Sequence, residues 1–452
     1  MKSASTAKTI LSSTLPRIQT GVLNSHSILS STSSSRPPRH FQIHSDAISR
    51  TLNRTYYSAS TSPSTPARPS RTTPLTPLHH YHHSSSSTST MSTSTSIPPF
   101  PTGPPPLPPG KDKHHIVVLE GIHAPTPTFS FPHTITIHQN STPSQIASRI
   151  RDATIAISCV VPITPSDMDQ APHLGVLAVM AVGISWVDKA DCARRGVTVT
   201  KCPAGNVDAV GEHFLTLYFA ARKRVVQVHN TLATTSDWPQ KGTLTKLWPN
   251  GPPRGAGQEK LGILGYGTLG TRVEKLARAV GFAEVVVAER KGAKEVRTGR
   301  VSFEEVLATC TVIVLTLPKE DDTVDLISEK ELKTMQQDAL IINIARGGIV
   351  NEVALAKALR EGWIAGAAVD VLETEPAGVG TSPLLPDMSK PEAVAVPNLT
   401  VSSHIAWFTQ STIVRYQELL KQGIEGWVNG TLREAEDKVD KTVVVHQGRI
   451  WS

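Results

Sequence analysis

The sequence predicts an α/β protein built from two doubly wound parallel-sheet domains, with a cleft between them and a disordered head at the N-terminus. Three observations predict this fold. From residue 115 onward, short apolar runs alternate with amphipathic helical segments. The spacing G-x-G-x-x-G at residues 265–270 joins one apolar run to a helical segment, as in Rossmann-like domains. Residues 1–112, by contrast, lack the clustered apolar residues from which a core is built.

The head differs from the rest of the chain in charge. Residues 1–100 contain nine Lys and Arg but one acid, Asp46, whereas the whole chain has a net charge of +7. The basic excess therefore belongs to the head, and the folded part is not expected to bind nucleic acid. A Ser- and Arg-rich segment with few acids is typical of a mitochondrial transit peptide, with residues 54–58 as a processing region and the matrix as destination. The alternatives are a low-complexity tail without a targeting role and a cytoplasmic form that starts near Met91.

Composition argues against a disulfide-linked, a metal-binding or a membrane-spanning protein. The four cysteines, at positions 159, 192, 202 and 310, stand in no metal or redox spacing. We therefore expect free thiols in a reducing compartment and no metal site. The apolar runs all fall short of the roughly 18 residues that a membrane span requires, so we expect no membrane partner.

The first domain is predicted over residues 113–210, after a proline-rich linker. Its strand candidates are the apolar runs at residues 115–119, 134–137, 155–159, 176–181 and 197–200. An amphipathic segment at residues 207–224 leads into the next domain. A last helix, at residues 412–428, is expected to return and complete the first domain over residues 409–430. Residues 431–452 are expected to form a loose tail.

The second domain is predicted over residues 211–408. Its strand candidates are the apolar runs at residues 261–264, 284–288, 312–317, 340–344, 367–371 and 399–402. Six strands that alternate with helices are the full count of a doubly wound dinucleotide-binding domain.

The glycine loop at the start of the second domain predicts a dinucleotide site. Gly265 allows the turn, Gly267 admits a pyrophosphate against bare backbone, and Gly270 lets helix and strand pack closely. The helix that begins near Thr268 and Leu269 presents unpaired N–H groups and its positive dipole end to the phosphates. The alternative is a strand, turn and helix that bind no ligand.

One acid indicates which dinucleotide is bound. Glu289 closes the second strand of this domain, where a carboxylate accepts both hydroxyls of the adenosine ribose. The cofactor is therefore predicted to be NAD rather than NADP. Arg290 and Lys291 follow directly, and their positive charge reduces the discrimination against NADP.

Polar residues also close three later strands of the same domain. Arg346 follows the fourth strand, Asp370 closes the fifth and His404 follows the sixth. Because ligands of open α/β sheets bind beyond the carboxyl ends of the strands, these residues are expected to converge on one site. Taken singly, they have the ordinary interpretations of a surface salt bridge, a helix cap and a core histidine.

Together these residues suggest hydride transfer to an anionic carbonyl compound. A guanidinium such as that of Arg346 binds a carboxylate in bidentate fashion. A histidine such as His404 gives a proton to the carbonyl oxygen as hydride reaches the carbon. A carboxylate beside the histidine favours its protonated form and orients its ring, and Glu375 is the candidate.

The chain resembles the D-isomer-specific 2-hydroxyacid dehydrogenases over about residues 115–430. The resemblance is carried by NIARGGIVNEVALAKAL (343–359), GAAVDVLETEP (366–376) and SSHIAW (402–407). It implies that Arg346 binds the substrate carboxylate, that Glu375 assists the histidine and that His404 is the acid/base. It further implies cofactor contacts at Arg290, Pro318, Ala345 and Asp370, the last with the nicotinamide carboxamide, and substrate contacts at Val182, Gly183, Arg346 and His404. The family resemblance also implies a homodimer.

The segment AERKGA (288–293) further resembles the glycerate dehydrogenase or hydroxypyruvate reductase branch. The expected reaction is the reduction of hydroxypyruvate or glyoxylate by NADH, with His404 as proton donor. Two alternatives stay open: a D-3-phosphoglycerate dehydrogenase and an NAD-binding transcriptional corepressor. Two residues depart from the family pattern. Trp186 either reshapes the substrate pocket or packs inside the first domain, and Phe408 has no settled role.

Overall fold

The computed structural model describes residues 106–432 and 442–451. The predicted head, its processing region and the second start at Met91 lie outside the described residues. Within the described ranges, the chain alternates strands and helices as the sequence predicts, and the fold class is confirmed.

Strands, α-helices and short 3₁₀ turns make up the secondary structure of the described residues. The strands are β1 (His114–Val118), β2 (His133–Ile137), β3 (Ile155–Ser158), β4 (Val176–Val179), β5 (Thr198–Thr200), β6 (Lys260–Leu264), β7 (Glu284–Val287), β8 (Val312–Leu315), β9 (Leu340–Asn343), β10 (Gly366–Val369), β11 (Leu399–Val401), β12 (Val443–His446) and β13 (Arg449–Ile450). The α-helices are α1 (Ile146–Ile150), α2 (Pro165–Asp169), α3 (Lys189–Arg195), α4 (Val207–Arg222), α5 (Val225–Thr234), α6 (Asp237–Lys241), α7 (Thr268–Val280), α8 (Phe303–Thr309), α9 (Glu329–Thr334), α10 (Glu352–Glu361) and α11 (Gln410–Val428).

The first sheet has the strand order β13-β12-β5-β4-β3-β1-β2. Strands β1 to β5 pair in parallel, and the central strands β3 and β4 are buried at every position and apolar except at Ser158, as expected for strands covered on both faces. Glu120 follows β1 and is 3% exposed. Its carboxylate accepts hydrogen bonds from the backbone N–H groups of residues 159–161 at distances of 2.7 to 3.3 Å, and so fixes the loop after β3.

The second sheet is wholly parallel, with the order β11-β10-β9-β8-β6-β7. A single bridge between Ala288 and Val301 extends it beyond β7. The direction in which strands are added changes between β6 and β8. In a doubly wound sheet ligands bind at this switch point, so the loops after β6 and β8 are the expected place for a site.

Two long helices pack against different sheets, α4 against the second and α11 against the first. Helix α4 packs Phe214 and Leu217 against the second sheet, in a core that includes Ile263 and Val314. Helix α11 packs Leu420, Ile424 and Trp427 against the first sheet, although it follows the second in sequence. The predicted assignment of a substrate domain and a dinucleotide domain to stated residue ranges stays a prediction.

The expectation of a loose tail after Gly430 is wrong for residues 442–451. Strand β12 pairs antiparallel with β5, and Val444 is fully buried in the first-sheet core. Gln447 and Gly448 form a tight turn with positive φ angles of 49° and 72° and lead into β13. The run of three valines followed by a two-residue turn is a hairpin signal, but the polar segment before it obscured that signal in the sequence.

The described residues contain neither a membrane-spanning helix by length and hydropathy nor a cluster of three or more metal-binding side chains. All four cysteines lie within the described part of the chain, and each is buried with a free thiol.

Candidate active site

The glycine loop lies at the switch point between β6 and β8. Gly265 has a φ of +90°, and a Cβ at this position would lie 2.7 Å from the Cβ of Leu317, which follows β8. A Cβ on Gly270 would lie 2.5 Å from the carbonyl oxygen of Gly265. Both positions therefore require glycine for packing.

The same loop leaves room for a phosphate group. Gly267 is the N-cap of α7, it makes no side-chain cap, and a Cβ added there would have nothing within 4 Å. The first N–H groups of this 13-residue helix, at Thr268 and Leu269, have no acceptor within the helix. Pro318, directly after Leu317, is exposed. This arrangement fits the pyrophosphate of a dinucleotide.

Glu289 has partners that the sequence did not reveal. Its carboxylate is 5% exposed and is bound by the guanidinium of Arg297, whose Nε and Nη2 donate to it at 2.7 and 2.5 Å. The backbone N–H of Arg290 donates to it at 2.9 Å. Hydrogen bonds from Arg297, with that from Arg290, lower the pKa of Glu289 to about 2. The predicted contact with ribose hydroxyls stays a prediction. In the structure the carboxylate already accepts hydrogen bonds from Arg290 and Arg297.

Arg346 is positioned by the turn that follows β9. The side chain of Asn343, at the end of β9, accepts a hydrogen bond from the backbone N–H of Ala345 at 3.0 Å and donates to the carbonyl oxygen of Arg346 at 2.9 Å. Nη1 of Arg346 donates to the carbonyl oxygen of Ala345 at 2.7 Å. Burial lowers the pKa of Arg346, and the charge of Glu375 acts in the opposite direction. Arginine nevertheless stays protonated in proteins, so this is a partly buried positive charge.

The guanidinium of Arg346 meets the loop that follows β4 in the first sheet. A Cβ on Gly183 would overlap Nη2 of Arg346, so the guanidinium occupies the space beside that bare backbone. Val182, the preceding residue, packs against the core that includes Tyr416 of α11. The predicted carboxylate-binding arginine and the predicted substrate loop are therefore in contact.

Gly183→Ala tests this contact. The added methyl group is expected to displace the guanidinium and to lower kcat/KM for a keto acid by about 10- to 100-fold, because displacements near 1 Å carry costs of that order. Steady-state kinetics measure the effect. Gly378→Ala is the matched control, since a Cβ there meets nothing within 4 Å. Equal activity of both variants would contradict the proposed position of Arg346.

His404 and Glu375 form a hydrogen-bonded pair. Nδ1 of His404 lies 2.7 Å from Oε2 of Glu375, and Oε1 of Glu375 accepts from the backbone N–H of Leu372 at 2.9 Å. Burial acts to raise the pKa of Glu375, but the hydrogen bonds from His404 and Leu372 outweigh it, so the pKa is lowered overall. Because the acceptor is a carboxylate, Nδ1 carries the hydrogen, and Nε2 is left to exchange a proton.

Asp370 holds the loop that presents His404. Its oxygens accept hydrogen bonds from Oγ of Ser402 at 2.6 Å and from the backbone N–H groups of Ile405 and Ala406 at 3.1 and 3.0 Å. Its backbone carbonyl accepts from the N–H of His404 at 2.7 Å. These contacts support a backbone at His404 with a φ of +55°, which side chains rarely adopt. The predicted contact of Asp370 with a nicotinamide carboxamide stays a prediction.

Sequence reasoning missed two residues that support this loop. Nε2 of His213, on α4, is hydrogen-bonded to Oγ of Ser402 at 2.9 Å and lies 3.4 Å from Oδ1 of Asp370. Nε1 of Trp407 donates to the carbonyl oxygen of His404 at 2.8 Å. The polar His213 on the apolar face of α4 is a visible signal, but the sequence does not indicate its distant partners.

Comparison with known proteins identifies the family. Residues 215–406 match the profile of the D-isomer specific 2-hydroxyacid dehydrogenase, NAD binding domain. The glycerate dehydrogenase of Methylorubrum extorquens is 33% identical over 312 residues, which cover 69% of this chain and 94% of that protein. This chain belongs to the D-isomer-specific 2-hydroxyacid dehydrogenase family. It is accordingly an oxidoreductase with an NAD-binding domain.

Other members and solved structures agree with this assignment. The glyoxylate reductase of Aeropyrum pernix is 34% identical over 270 residues, which cover 58% of this dehydrogenase and 76% of that protein. The NADPH-dependent glyoxylate/hydroxypyruvate reductase of Sinorhizobium meliloti, solved with NADP and malonate, is 20% identical with a TM-score of 0.56 over 75% of this chain and 99% of its own. The NAD-dependent formate dehydrogenase of Staphylococcus aureus, solved with NAD, has a TM-score of 0.57 at 20% identity over 74% of this chain and 99% of its own. At this level of identity the structures support the fold alone.

The two departures from the family pattern have different outcomes in this dehydrogenase. Trp186 packs against the first-sheet core beside Ile184 and Val187, so the structure favours the packing interpretation over a reshaped pocket. Phe408 is 63% exposed and contacts Trp407 edge to face at 5.4 Å. It lies outside the core, next to the loop that holds His404.

Proposed function

We propose that this dehydrogenase reduces a small 2-keto acid, hydroxypyruvate or glyoxylate, to the corresponding 2-hydroxy acid. The observation that carries the proposal is that Arg346 lies against the loop after β4 and is close enough to the Glu375 and His404 pair for the charge of Glu375 to act on its pKa. A partly buried guanidinium that binds the substrate carboxylate and a histidine paired with a carboxylate are the two groups that such a reduction requires. Arg346 and His404 both lie beyond the carboxyl ends of strands in the second sheet, on the same edge as the glycine loop.

Arg346 binds the substrate carboxylate in this proposal. Its Nη1 is held by the carbonyl oxygen of Ala345, and its guanidinium lies against the backbone of Gly183. The burial that lowers the pKa of Arg346 leaves a charge without strong solvation, which favours an anionic ligand. A carboxylate bound there turns the adjacent carbonyl group toward His404.

The dinucleotide supplies a hydride to the carbonyl carbon when it is bound at the glycine loop. As the carbon–oxygen double bond becomes a single bond, Nε2 of His404 gives a proton to the oxygen. Glu375 keeps Nδ1 of His404 protonated and stabilises the imidazolium before transfer. Asp370 fixes the loop so that the ring stays in reach.

The names of relatives support a small substrate. Relatives that share about a third of their residues with this chain are called glycerate dehydrogenase and glyoxylate reductase. The sequence alternative of D-3-phosphoglycerate dehydrogenase would require a phosphate site in addition.

A spectrophotometric screen tests the proposed function. Residues 91–452 are assayed with NADH and with NADPH against hydroxypyruvate, glyoxylate, pyruvate, 2-ketoisocaproate and 3-phosphohydroxypyruvate. We expect the highest kcat/KM with hydroxypyruvate or glyoxylate. A preference for 3-phosphohydroxypyruvate would favour the phosphoglycerate alternative. Absence of turnover with every keto acid would contradict the proposal and favour the corepressor alternative.

We further propose that the protein is a homodimer formed through α5 and α6. Helix α5 buries none of its residues, and its Val225, Val226 and Leu232 are 55%, 43% and 45% exposed. Trp238 of α6 adds a 55% exposed indole. Apolar side chains clustered on one surface are typical of an interface.

Leu232→Arg is expected to convert the dimer to a monomer, because it places a charge within that apolar surface. Size-exclusion chromatography with light scattering measures the mass. Val353→Arg is the matched control, since Val353 is also exposed, at 66%, but lies on α10. A monomeric wild-type protein would refute the proposed dimer.

A further inference from the structure

The carboxylate of Glu289, just after β7, accepts four hydrogen bonds from neighbouring residues of the same loop. Oε1 of Glu289 accepts from the backbone N–H of Arg290 at 2.9 Å and from Nη2 of Arg297 at 2.5 Å. Oε2 accepts from Nε of Arg297 at 2.7 Å and from the backbone N–H of Arg297 at 3.3 Å. An ionised carboxylate has about four lone-pair sites. The four contacts leave none for a ribose diol unless Arg297 moves.

The charge around this carboxylate is positive. Arg297 neutralises Glu289, and Nε of Arg300 lies 4.0 Å from Oε2. Arg300 also lies over the ring of Tyr266 at 5.9 Å, which places it beside the glycine loop. Arg290 is exposed in the same segment. The carboxylate of Glu289 thus lies beside the guanidinium groups of Arg297 and Arg300, and Arg290 follows it directly in the sequence.

A neighbouring lysine does not contribute to this positive charge. Nζ of Lys291 lies 2.9 Å from Oε1 of Glu331 and donates to the carbonyl oxygen of Leu326 at 3.1 Å. Its charge is therefore balanced locally. This lysine provides a control of equal charge in the same loop.

We infer that Arg297 cancels the discrimination that Glu289 would otherwise exert, so that the protein binds NADPH with an affinity comparable to that for NADH. A free carboxylate at this position accepts the ribose hydroxyls of NADH and repels the 2′-phosphate of NADPH. With Arg297 bound to it, the repulsion is neutralised, and Arg290 and Arg300 supply donors suited to a phosphate. Arg297 is thus a specificity-determining residue of the dinucleotide site on which the proposed function rests.

Direct binding measurements test this inference. NADH and NADPH are titrated separately into the purified protein in a calorimeter, without keto acid, and the ratio of the two Kd values is compared between variants. For the wild-type protein we expect a ratio within about tenfold. Arg297→Ala frees Glu289 and is expected to shift the ratio toward NADH by about 10- to 100-fold, the range of a charge-assisted hydrogen bond.

Two further variants separate this effect from damage to the loop. Lys291→Ala removes one positive charge from the same segment and is expected to leave the ratio unchanged. The double variant Arg297→Ala with Glu289→Gln is expected to recover NADPH binding, because the repelling charge is gone. A loop that had merely lost its structure would not be rescued in this way.

Either of two results would overturn the inference: a wild-type protein that binds NADPH more than about 100-fold more weakly than NADH, or an unchanged ratio in Arg297→Ala. Neither result depends on the substrate. A protein that binds both dinucleotides but reduces no keto acid would refute the proposed function and leave this inference standing.

Discussion

Replacing His404 by asparagine is expected to lower kcat for keto-acid reduction by about 10²- to 10⁴-fold, the usual contribution of a general acid. Asparagine keeps a polar group near Glu375 but has no proton to give at the position of Nε2. The Kd for the dinucleotide is expected to stay unchanged, since the glycine loop is not altered. Steady-state kinetics and calorimetry on the same sample measure the two quantities.

Ser403→Ala is the matched control for His404→Asn, because Ser403 is exposed in the same loop. The kcat of Glu375→Gln is expected to lie between those of His404→Asn and Ser403→Ala. Glutamine keeps a hydrogen-bond acceptor for Nδ1 but removes the charge that stabilises the imidazolium. If His404→Asn kept the wild-type kcat, His404 would not be the proton donor.

Arg222→Ala is expected to lower the free energy of unfolding by about 3–5 kcal/mol, the cost of leaving one partner of a buried ion pair alone. Nε of Arg222 lies 2.6 Å from Oε1 of Glu259, and Glu259 is fully buried. Arg222 also donates to the carbonyl oxygens of Thr311 and Asp338 at 3.0 and 2.9 Å. The substitution therefore removes the cation that balances a buried carboxylate and one donor from each of two carbonyl groups, although the hydroxyls of Tyr218 and Thr311 still donate to Glu259.

Urea unfolding measures this loss, and Arg254→Ala is its control. Arg254 pairs with Asp338 at 2.6 Å at the same end of the sheet, but both side chains are about 40% exposed. Its removal is expected to cost at most about 1 kcal/mol. If Arg222→Ala and Arg254→Ala lowered the free energy of unfolding equally, burial would not determine the contribution of the Arg222–Glu259 pair.

Much of the second sheet was predictable because each strand is a short apolar run that ends at a polar residue. Glu289, Arg346, Asp370 and His404 all lie beyond the strand ends, where the sequence predicted them. The glycine spacing likewise predicted a turn whose conformation only glycine accommodates at Gly265.

What the sequence could not reveal were contacts between residues that no periodic pattern links. The pairing of Glu289 with Arg297 depends on the path of an irregular loop. The contact of Gly183 with Arg346 joins two sheets, and that of His213 with Ser402 joins a helix to a distant loop. Propensity and periodicity are local signals, whereas these contacts are set by tertiary structure.

The hairpin of β12 and β13 has a consequence for the order in which the chain is assembled during synthesis. The second sheet is formed by contiguous residues, from β6 to β11, and all of them leave the ribosome before β12 is made. The first sheet begins earlier, but its core includes Val444 and the apolar face of α11. The nucleotide-binding half can therefore be completed while the half encoded first still awaits its last strand, which reverses the usual N-terminal-first order of folding.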